Sequence, residues 1–393
     1  MKTKYKISGF LFIIISLSVI RISYLPVGNQ QMPHQAEKNG YYDYQGIIHF
    51  HTQYSADATG TFEEIAGVAN QQSVDFMIST DHNTLKPLED KKEGWYQKTL
   101  ILVGEEISLP EGYLLAMDMQ QLPRTPGETT EEMISTIVNQ GGLAIIAHPD
   151  HPKWKWKGKD DSGIIGEEIL DFCDQWYTAP LFSRVKSLIF YPFNSSAASM
   201  ELYVRPDETL KEWDRRTQHR NMIGIFAADF HQAVRLTHQY YFPFPKVDSI
   251  LPIAHNHILL QKPFSGKFLE DKKALYGAIR KGHLYVSMDI LGNASGFLFS
   301  AKQGDNTFWM GDQLPAGHPT SFSVTLPPTV NFNQSLIHLY RNGEEIMQTT
   351  DNKLNYQTVQ GGVYRVEVEV KLPTFWGLSR SVVWIYSNPI YLR

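Results

Sequence analysis

The stretch GIIHFHTQYSADATGTFEEIAGVANQQSVDFMISTDH, residues 46–82, contains two apolar runs on either side of a helix-like segment. The runs at 46–51 and 76–80 are short and show little alternation, which is typical of strands buried on both faces. Between them, Thr61 followed three residues later by Glu64 has the pattern of a helix capping box. The stretch therefore predicts two parallel strands joined by a helix.

The same succession of short apolar runs and helix-like segments continues as far as about Met288. The further runs lie at 100–104, 143–147 and 223–227. Regular alternation of strand and helix is typical of a parallel sheet or barrel that carries helices on its outside. We therefore predict an α/β domain over residues 41–290.

After residue 291 the pattern changes to that of antiparallel strands. The dipeptide Asn342-Gly343 stands between two strand-like runs, which is a strong hairpin signal. In VYRVEVEVKL, residues 363–372, apolar and charged side chains alternate, so we expect one buried face and one face in water. Residues 291–393 are therefore predicted to form a small antiparallel β domain.

The first residues have the composition of a targeting segment. Lys2, Lys4 and Lys6 precede an apolar run at 9–20, which is shorter than the about 20 residues of a full membrane span. No clear cleavage site follows, so a signal peptide and an uncleaved membrane anchor both stay open for residues 1–27. Residues 28–40 are polar and are predicted to be a linker. In either case we expect the body to be exported, on the periplasmic or extracellular side.

The charge and cysteine content narrow the classes of partner and site. The net charge of −5 becomes −9 once the +4 of residues 1–25 is set aside. An acidic body argues against nucleic acid as a partner, since phosphate backbones attract basic surfaces. Cys173 is the single cysteine, so an internal disulfide and a thiolate metal cluster are both excluded.

Residue types that bind metals stand where the apolar runs end. His49 and His51 are two apart on the first run, so their side chains share one face of a strand. Because the carboxyl ends of parallel barrel strands meet at one rim, side chains from five run ends should converge there. The candidate metal ligands are His49, His51, Asp57, His82, Glu105, His148, Asp229 and His231.

This set of imidazoles and carboxylates suits zinc, manganese or iron. Eight ligands exceed the needs of one ion, so we predict two or three divalent metal ions with a bridging carboxylate. A second His-x-His pair, His255 and His257, has no acidic residue close to it in sequence. We expect these two imidazoles to be satisfied within a strand or exposed, rather than to bind metal.

The segment HFHTQYSADATGTFEEIAGVANQQSVDFMISTDHNT, followed in order by GEEI, AHP and ADFH, resembles the motifs of the polymerase and histidinol phosphatase (PHP) family over about residues 46–290. The segments ALYGAIRKGHLYVS, RNGEEI and SNPIYL are similar to the subgroup typified by carbaryl hydrolase (CehA/McbA-like). The resemblance implies a distorted (β/α)7 TIM-like barrel followed by a small antiparallel β-sandwich-like domain.

Carried over position by position, the resemblance implies three ion sites. One would be held by His49, His51, Glu105 and Asp229, a second by Glu105 and His148, and a third by Asp57, His82 and His231. The family usually places another histidine between the AHP and D-x-H motifs. The matching run SMELYVRPDE, residues 199–208, offers Glu201 instead, which makes Glu201 a further candidate ligand.

These observations favour a metal-dependent hydrolase that cleaves a phosphomonoester or phosphodiester of a small molecule with a metal-activated hydroxide. The candidate catalytic residues are His82, His231 and Glu105, and the two histidines could pass a proton to the leaving group. Two alternatives stay open. The same site could hydrolyse a carboxylester, carbamate or amide, or the chain could be a non-catalytic exported binding module.

Overall fold

The structure is a computed structural model that describes residues 40–121, 129–158, 163–235, 241–242, 244–327, 335–373 and 379–393. The predicted targeting segment and nearly all of the predicted linker lie outside these residues. Among the described residues, no helix has both the length and the apolar composition needed to cross a bilayer.

In the described residues, seven strands close into a barrel in the order β1-β2-β4-β5-β6-β7-β8. The short strand β3 pairs antiparallel with the first residues of β4, 99–101. The bounds are β1 Tyr42–Phe50, β2 Phe76–His82, β3 Gly94–Tyr96, β4 Thr99–Leu109, β5 Gly112–Met117, β6 Leu143–Ala147, β7 Ile164–Asp171 and β8 Ile223–Phe230.

The barrel closes because β8 pairs in parallel with the carboxyl half of β1. Ile48 lies opposite Ala227, and Phe50 lies opposite Phe230. Beside this pairing, the Asn256 side chain accepts from the backbone N–H of Phe226 and donates to its carbonyl, both at 2.8 Å. The closure brings the end of the first strand against the end of the last.

Helices connect several of these strands, and the first of them begins after Thr61, where the sequence predicts a helix start. Thr61 and Glu64 cap each other at the start of α1, and Thr129 and Glu132 do the same for α3. The helices are α1 Phe62–Gln71, α2 Lys86–Glu89, α3 Thr130–Asn139, α4 Phe172–Thr178, α5 Leu181–Phe190, α6 Ser195–Met200, α7 Asp207–Thr217, α8 Val247–Ile250 and α9 Phe268–Lys281, with a 3₁₀ turn at Asp289–Leu291.

The barrel departs from a regular succession of strand and helix. Strand β5 runs antiparallel to both β4 and β6, so β4 and β5 form a hairpin with no helix between them. Strand β7 was absent from the predicted runs. It contains two buried carboxylates, Glu167 and Glu168, which break the apolar pattern that identified the other strands.

The carboxyl-terminal strands extend the barrel sheet. From β1 the sheet continues through β11, β12, β21 and β20, all antiparallel. The strands are β9 Val234–Arg235, β10 Tyr241–Phe242, β11 His255–Leu260, β12 Leu284–Ser287, β13 Leu298–Gln303, β14 Asn306–Trp309, β15 Gln313–Leu314, β16 Thr320–Thr325, β17 Ser335–Arg341, β18 Glu344–Thr349, β19 Lys353–Thr358, β20 Gly362–Pro373, β21 Ser379–Ser387 and β22 Ile390–Leu392.

A second sheet of four strands, β14-β13-β16-β19, packs against this extension. The rings of Phe322 and Tyr364 stack between the two sheets with centroids 4.3 Å apart. The predicted hairpin is confirmed, since Asn342 and Gly343 join β17 to β18 with positive φ angles. The β-sandwich-like description of this region stays a prediction.

The expected wet face of β20 is wrong at Arg365 and Glu367, which are both buried. The Arg365 guanidinium donates to both carboxylate oxygens of Asp214 on α7, at 2.6 and 2.7 Å, and to Glu367 at 2.6 Å. Arg205 also donates to Glu367, at 2.7 Å. The alternating charges therefore join the β region to the barrel.

Removing one partner of a buried ion-pair network leaves the other charges unpaired. Arg365→Met should therefore lower the free energy of unfolding by about 3–5 kcal/mol, measured by urea denaturation. Arg215→Met is the matched control, because Arg215 pairs with Glu212 on the exposed side of α7. It should change stability by about 0.5 kcal/mol or less. Equal effects of the two variants would show that the buried pair does not hold the domains together.

Candidate metal centre

The first strand of the barrel places two imidazoles at the rim. His49 and His51 are buried at the carboxyl end of β1, with their Nε2 atoms 3.1 Å apart. His49 has a φ angle of 65°, and His148 and Asp229 at the ends of β6 and β8 have φ angles of 50° and 42°. Left-handed backbone at non-glycine residues costs about 1–3 kcal/mol each and concentrates at functional sites. Three strand ends are therefore strained where the site side chains lie.

One carboxylate lies among four histidines. Glu106 Oε2 is 2.8 Å from His82 Nδ1, 3.3 Å from His51 Nε2 and 3.4 Å from His49 Nε2. Its other oxygen, Oε1, is 3.2 Å from His148 Nε2. This is the central position that the predicted bridging carboxylate would occupy.

The sequence analysis assigned that position to Glu105, and the structure places Glu106 there instead. Neighbouring side chains on a strand point to opposite faces. In the β2–β4 register, His82 lies opposite Glu106, whereas Asp81 lies opposite Glu105. Glu106 therefore shares the face of His82. The identity of the facing residue, which the sequence pattern does not provide, decides between the two glutamates.

Asp229 and His231 close the cluster from β8. Asp229 Oδ1 is 3.1 Å from His51 Nε2 and 3.3 Å from His49 Nε2. His231 Nε2 lies 3.4 Å from His82 Nε2. Asp57 lies at the open edge, with its carboxylate 3.4 Å from His82 and 3.7 Å from His231.

The end of β7 supplies acidic groups that the sequence analysis missed. Glu168 Oε1 lies 2.6 Å from His49 Nδ1, and its other oxygen accepts from the His148 backbone N–H. Asp171 uses Oδ1 to cap helix α4, while its Oδ2 lies 3.3 Å from His148 Nδ1. Asp174 Oδ1 lies 3.2 Å from the same nitrogen.

These acids take the place that the sequence analysis sought at Glu201. The strand between the AHP and ADFH motifs is β7, and it ends at Asp171. Glu201 instead follows helix α6 and pairs with Lys186 at 2.8 Å. A signal was present in the short run ILD at 169–171, whose acid follows apolar residues as at the other strand ends.

The remaining histidine pair behaves differently. His255 and His257 lie buried on β11, and His257 contacts Asp43 at 2.8 Å and Asp289 at 2.9 Å. His255 Nδ1 lies 2.6 Å from Asp289. Both imidazoles lie on a strand and contact a carboxylate, as expected for histidines that do not bind metal. Their acidic partners come from distant parts of the sequence, which is why no partner was visible there.

Buried polar atoms at the rim that make no hydrogen bond show whether its residues fit metal ions. Within the described part of the chain, buried atoms without a hydrogen-bond partner include Glu106 Oε1 and Oε2, Asp171 Oδ2, Asp174 Oδ1, Asp229 Oδ1 and His148 Nδ1. Their neighbours belong to the same cluster, and burying charged groups that make no well-formed hydrogen bond is costly. Three groups of side chains at the rim have ligand atoms close enough to hold a cation. The residues therefore fit divalent ions.

The groups are His49, His51 and Asp229; His49, His148, Glu168 and Asp171; and His51, His82 and His231. Seven of the eight predicted ligands lie at this rim, and Glu105 is replaced by Glu106.

The electrostatics suit cation binding. Burial would raise the pKa of Asp229, but the surrounding His49 and His231 imidazoles hold it well below its usual range. Burial and the nearby His51 ring lower the pKa of His231 to about 4. Burial opposes protonation of His82, but the Asp57 and Glu106 carboxylates raise its pKa to about 10. The raised pKa of His82 shows that the carboxylates stabilise positive charge at the rim. A bound cation would take the place of that proton, because ionised carboxylates and neutral imidazoles are the forms that bind metal.

The fold and the site place the protein among barrel proteins that carry a cluster of imidazoles and carboxylates at one rim. In the described residues the barrel is closed and has seven strands. No family model matches the chain. The uncharacterized protein MJ1587 of Methanocaldococcus jannaschii is 32% identical over 136 residues, which cover 32% of this chain and 74% of that protein. The chain belongs to the same family as this protein, whose name assigns no activity.

Two solved structures share a distant likeness. One is a two-domain protein from Bacteroides vulgatus containing a predicted PHP-like metal-dependent phosphoesterase, with a TM-score of 0.42 and 11% identity over 90% of this chain and all of that one. The other is an amidohydrolase from Chromobacterium violaceum with bound sulfate and no metal, with a TM-score of 0.29 and 14% identity over 47% of this chain and 87% of that one. Both likenesses are too distant to carry an activity across.

The two adjacent glutamates provide a sharp test of the centre. Glu106→Gln should weaken metal binding by about 10- to 100-fold, because even outer partners of metal ligands have effects of that size. Glu105→Gln makes the same change one residue away, on the other face of β4, and should leave the metal content unchanged. The metal content of both purified variants would be measured by mass spectrometry. A similar loss in both, or a loss in Glu105→Gln alone, would contradict the placement of Glu106.

Proposed function

We propose that this protein is a metal-dependent hydrolase of the PHP superfamily, close to the CehA/McbA-like subgroup, that cleaves a phosphomonoester or phosphodiester. The observation that carries the proposal is the convergence of buried imidazoles and unsatisfied carboxylate oxygens at one barrel rim. Sites at the carboxyl ends of barrel strands are where barrel enzymes place their chemistry. A non-catalytic module has no need for this cluster.

The ligands would divide among two or three ions. His49, His51, Glu106 and Asp229 would hold the first ion, and Glu106, His148 and Asp171 the second. Asp57, His82 and His231 would hold a third at the open edge. The oxygen and nitrogen donors suit zinc, manganese or iron. Bound divalent ions would activate water near neutral pH and stabilise the charge of the transition state.

Several residues of the chain would hold this arrangement in place. Glu168 contacts His49 Nδ1, which orients the His49 ring with its Nε2 toward the centre. Asp81 accepts from the Thr52 backbone N–H at 2.8 Å and from the Ser55 hydroxyl at 2.7 Å. It thereby fixes the loop after β1.

With two ions bound and the third site empty, the partly exposed His82 and His231 are the groups placed to exchange a proton with a leaving group at the mouth of the site. Cationic side chains near the site are less suited to bind a substrate phosphate, because they are already paired with carboxylates. Lys186 pairs with Glu201, and Arg205 pairs with Glu367. Charge neutralisation would therefore fall to the ions. The basic and apolar amino-terminal segment supports export, so the substrate would be a small ester met outside the cytoplasm.

The proposal predicts that the metal-loaded protein hydrolyses a generic nitrophenyl phosphomonoester or phosphodiester. Asp229→Asn should lower kcat/KM by about 100-fold or more, because it removes a charged ligand from the first ion. Glu201→Gln is the matched control and should change kcat/KM by less than about twofold, since that side chain makes a surface ion pair. An aryl carbamate would be assayed beside the phosphoesters. Carbamate turnover without phosphate ester turnover would replace the proposed reaction with attack on a carbonyl carbon.

A further inference from the structure

Helix α5 keeps a row of large apolar side chains in water. The buried side of the helix, including Phe190, packs on α6 through Ala197 and Ala198. The opposite side repeats at helical spacing, so its members form one continuous face. The apolar face of α5 consists of Leu181, Phe182, Val185, Leu188, Ile189 and, just after the helix, Phe193, all exposed.

A contiguous exposed apolar surface of this kind marks an interaction site. Among the described residues, the other large exposed apolar side chains form no second row of this length: Trp154 and Tyr177 form a pair, and Leu269 lies on α9. Single exposed apolar residues need no explanation, whereas six on one face do.

A basic and aromatic loop lies at one end of this face. In the loop at 152–158, Lys153, Lys155, Lys157 and Trp154 are exposed. The centroids of the Trp154 and Tyr177 rings lie 6.2 Å apart, and Lys153 Nζ lies 5.8 Å from the centroid of the Tyr177 ring. Tyr177 precedes Leu181, the first residue of α5, by four residues, so the loop contacts the chain just ahead of the apolar face of α5.

The charge of this loop contrasts with the rest of the molecule. Lys155 pairs with Asp150 at 2.5 Å, while Lys153 and Lys157 add exposed positive charge to a chain whose net charge is −5. Local positive charge beside apolar and tryptophan side chains matches a surface that is negative outside and apolar beneath.

We propose that the apolar face of α5 and the loop at 152–158 dock the protein on an anionic lipid bilayer. The apolar side chains enter the boundary between headgroups and acyl chains, and Lys153 and Lys157 contact anionic headgroups. The surface borders the metal centre, since the Trp154 ring lies 6.0 Å from the His148 ring. Docking therefore brings the His148 side of the centre close to the bilayer.

The test must separate this surface from any contribution of the amino-terminal segment. An environment-sensitive dye attached at Phe182→Cys in the full chain reports on the face itself. The same dye at Leu269→Cys is the matched control, because Phe182 is 78% exposed and Leu269 is 75% exposed. Both proteins retain Cys173, so its background labelling is the same in each.

Vesicles of phosphatidylglycerol mixed with phosphatidylcholine should shift the dye emission to the blue at position 182 and not at 269. The protein should bind vesicles of phosphatidylcholine alone at least about tenfold more weakly. Lys153→Glu with Lys157→Glu should weaken the response to anionic vesicles by about tenfold or more. No shift at 182, or equal shifts at both positions, would overturn the proposal. A shift at 182 that depends on protein concentration without vesicles would also overturn it, in favour of self-association.

Discussion

The pairing of the first barrel strand with the last is the constraint on which the site depends. Strand β1 ends in His49 and His51, and β8 ends in Asp229 and His231, far apart in sequence. Only closure of the barrel brings the Asp229 carboxylate within 3.3 Å of both β1 imidazoles. The Asn256 amide completes this seam by satisfying both backbone groups of Phe226. The seam therefore serves both the fold and the site.

The backbone and the side chains at the rim lower the stability of the folded protein. Left-handed backbone at His49, His148 and Asp229 and buried carboxylate oxygens without partners both raise the energy of the folded state. Bound cations would relieve the second cost directly, because they satisfy the unpaired oxygens. The folded barrel and its ions are in this view thermodynamically linked.

Local sequence signals predicted the features that local chemistry decides. The capping box at Thr61 and the hairpin at Asn342-Gly343 form as expected, since each depends on residues adjacent in the chain. The convergence of histidines was also visible, because each ends an apolar run.

Features that depend on pairing between distant strands were missed. The choice of Glu106 over Glu105 follows from the register of β2 with β4. Strand β7 escaped notice because partners elsewhere in the fold allow its two glutamates to be buried: Arg216 pairs with Glu167, and His49 contacts Glu168. The same holds for Arg365 and Glu367, which were expected in water and instead pair with Asp214 and Arg205. In each case a charged residue is buried because another element supplies its counter-charge.

We propose that this rim holds two or more metal ions. The most direct measurement is anomalous X-ray scattering from crystals of protein purified without chelator. We predict two or more anomalous peaks at the rim, each about 2.0–2.6 Å from its ligand atoms. One peak should lie close to Asp229 and His49 and another close to His148 and Asp171, with the Glu106 carboxylate between them. A rim with no anomalous peak, in crystals grown with zinc and manganese present, would contradict the account.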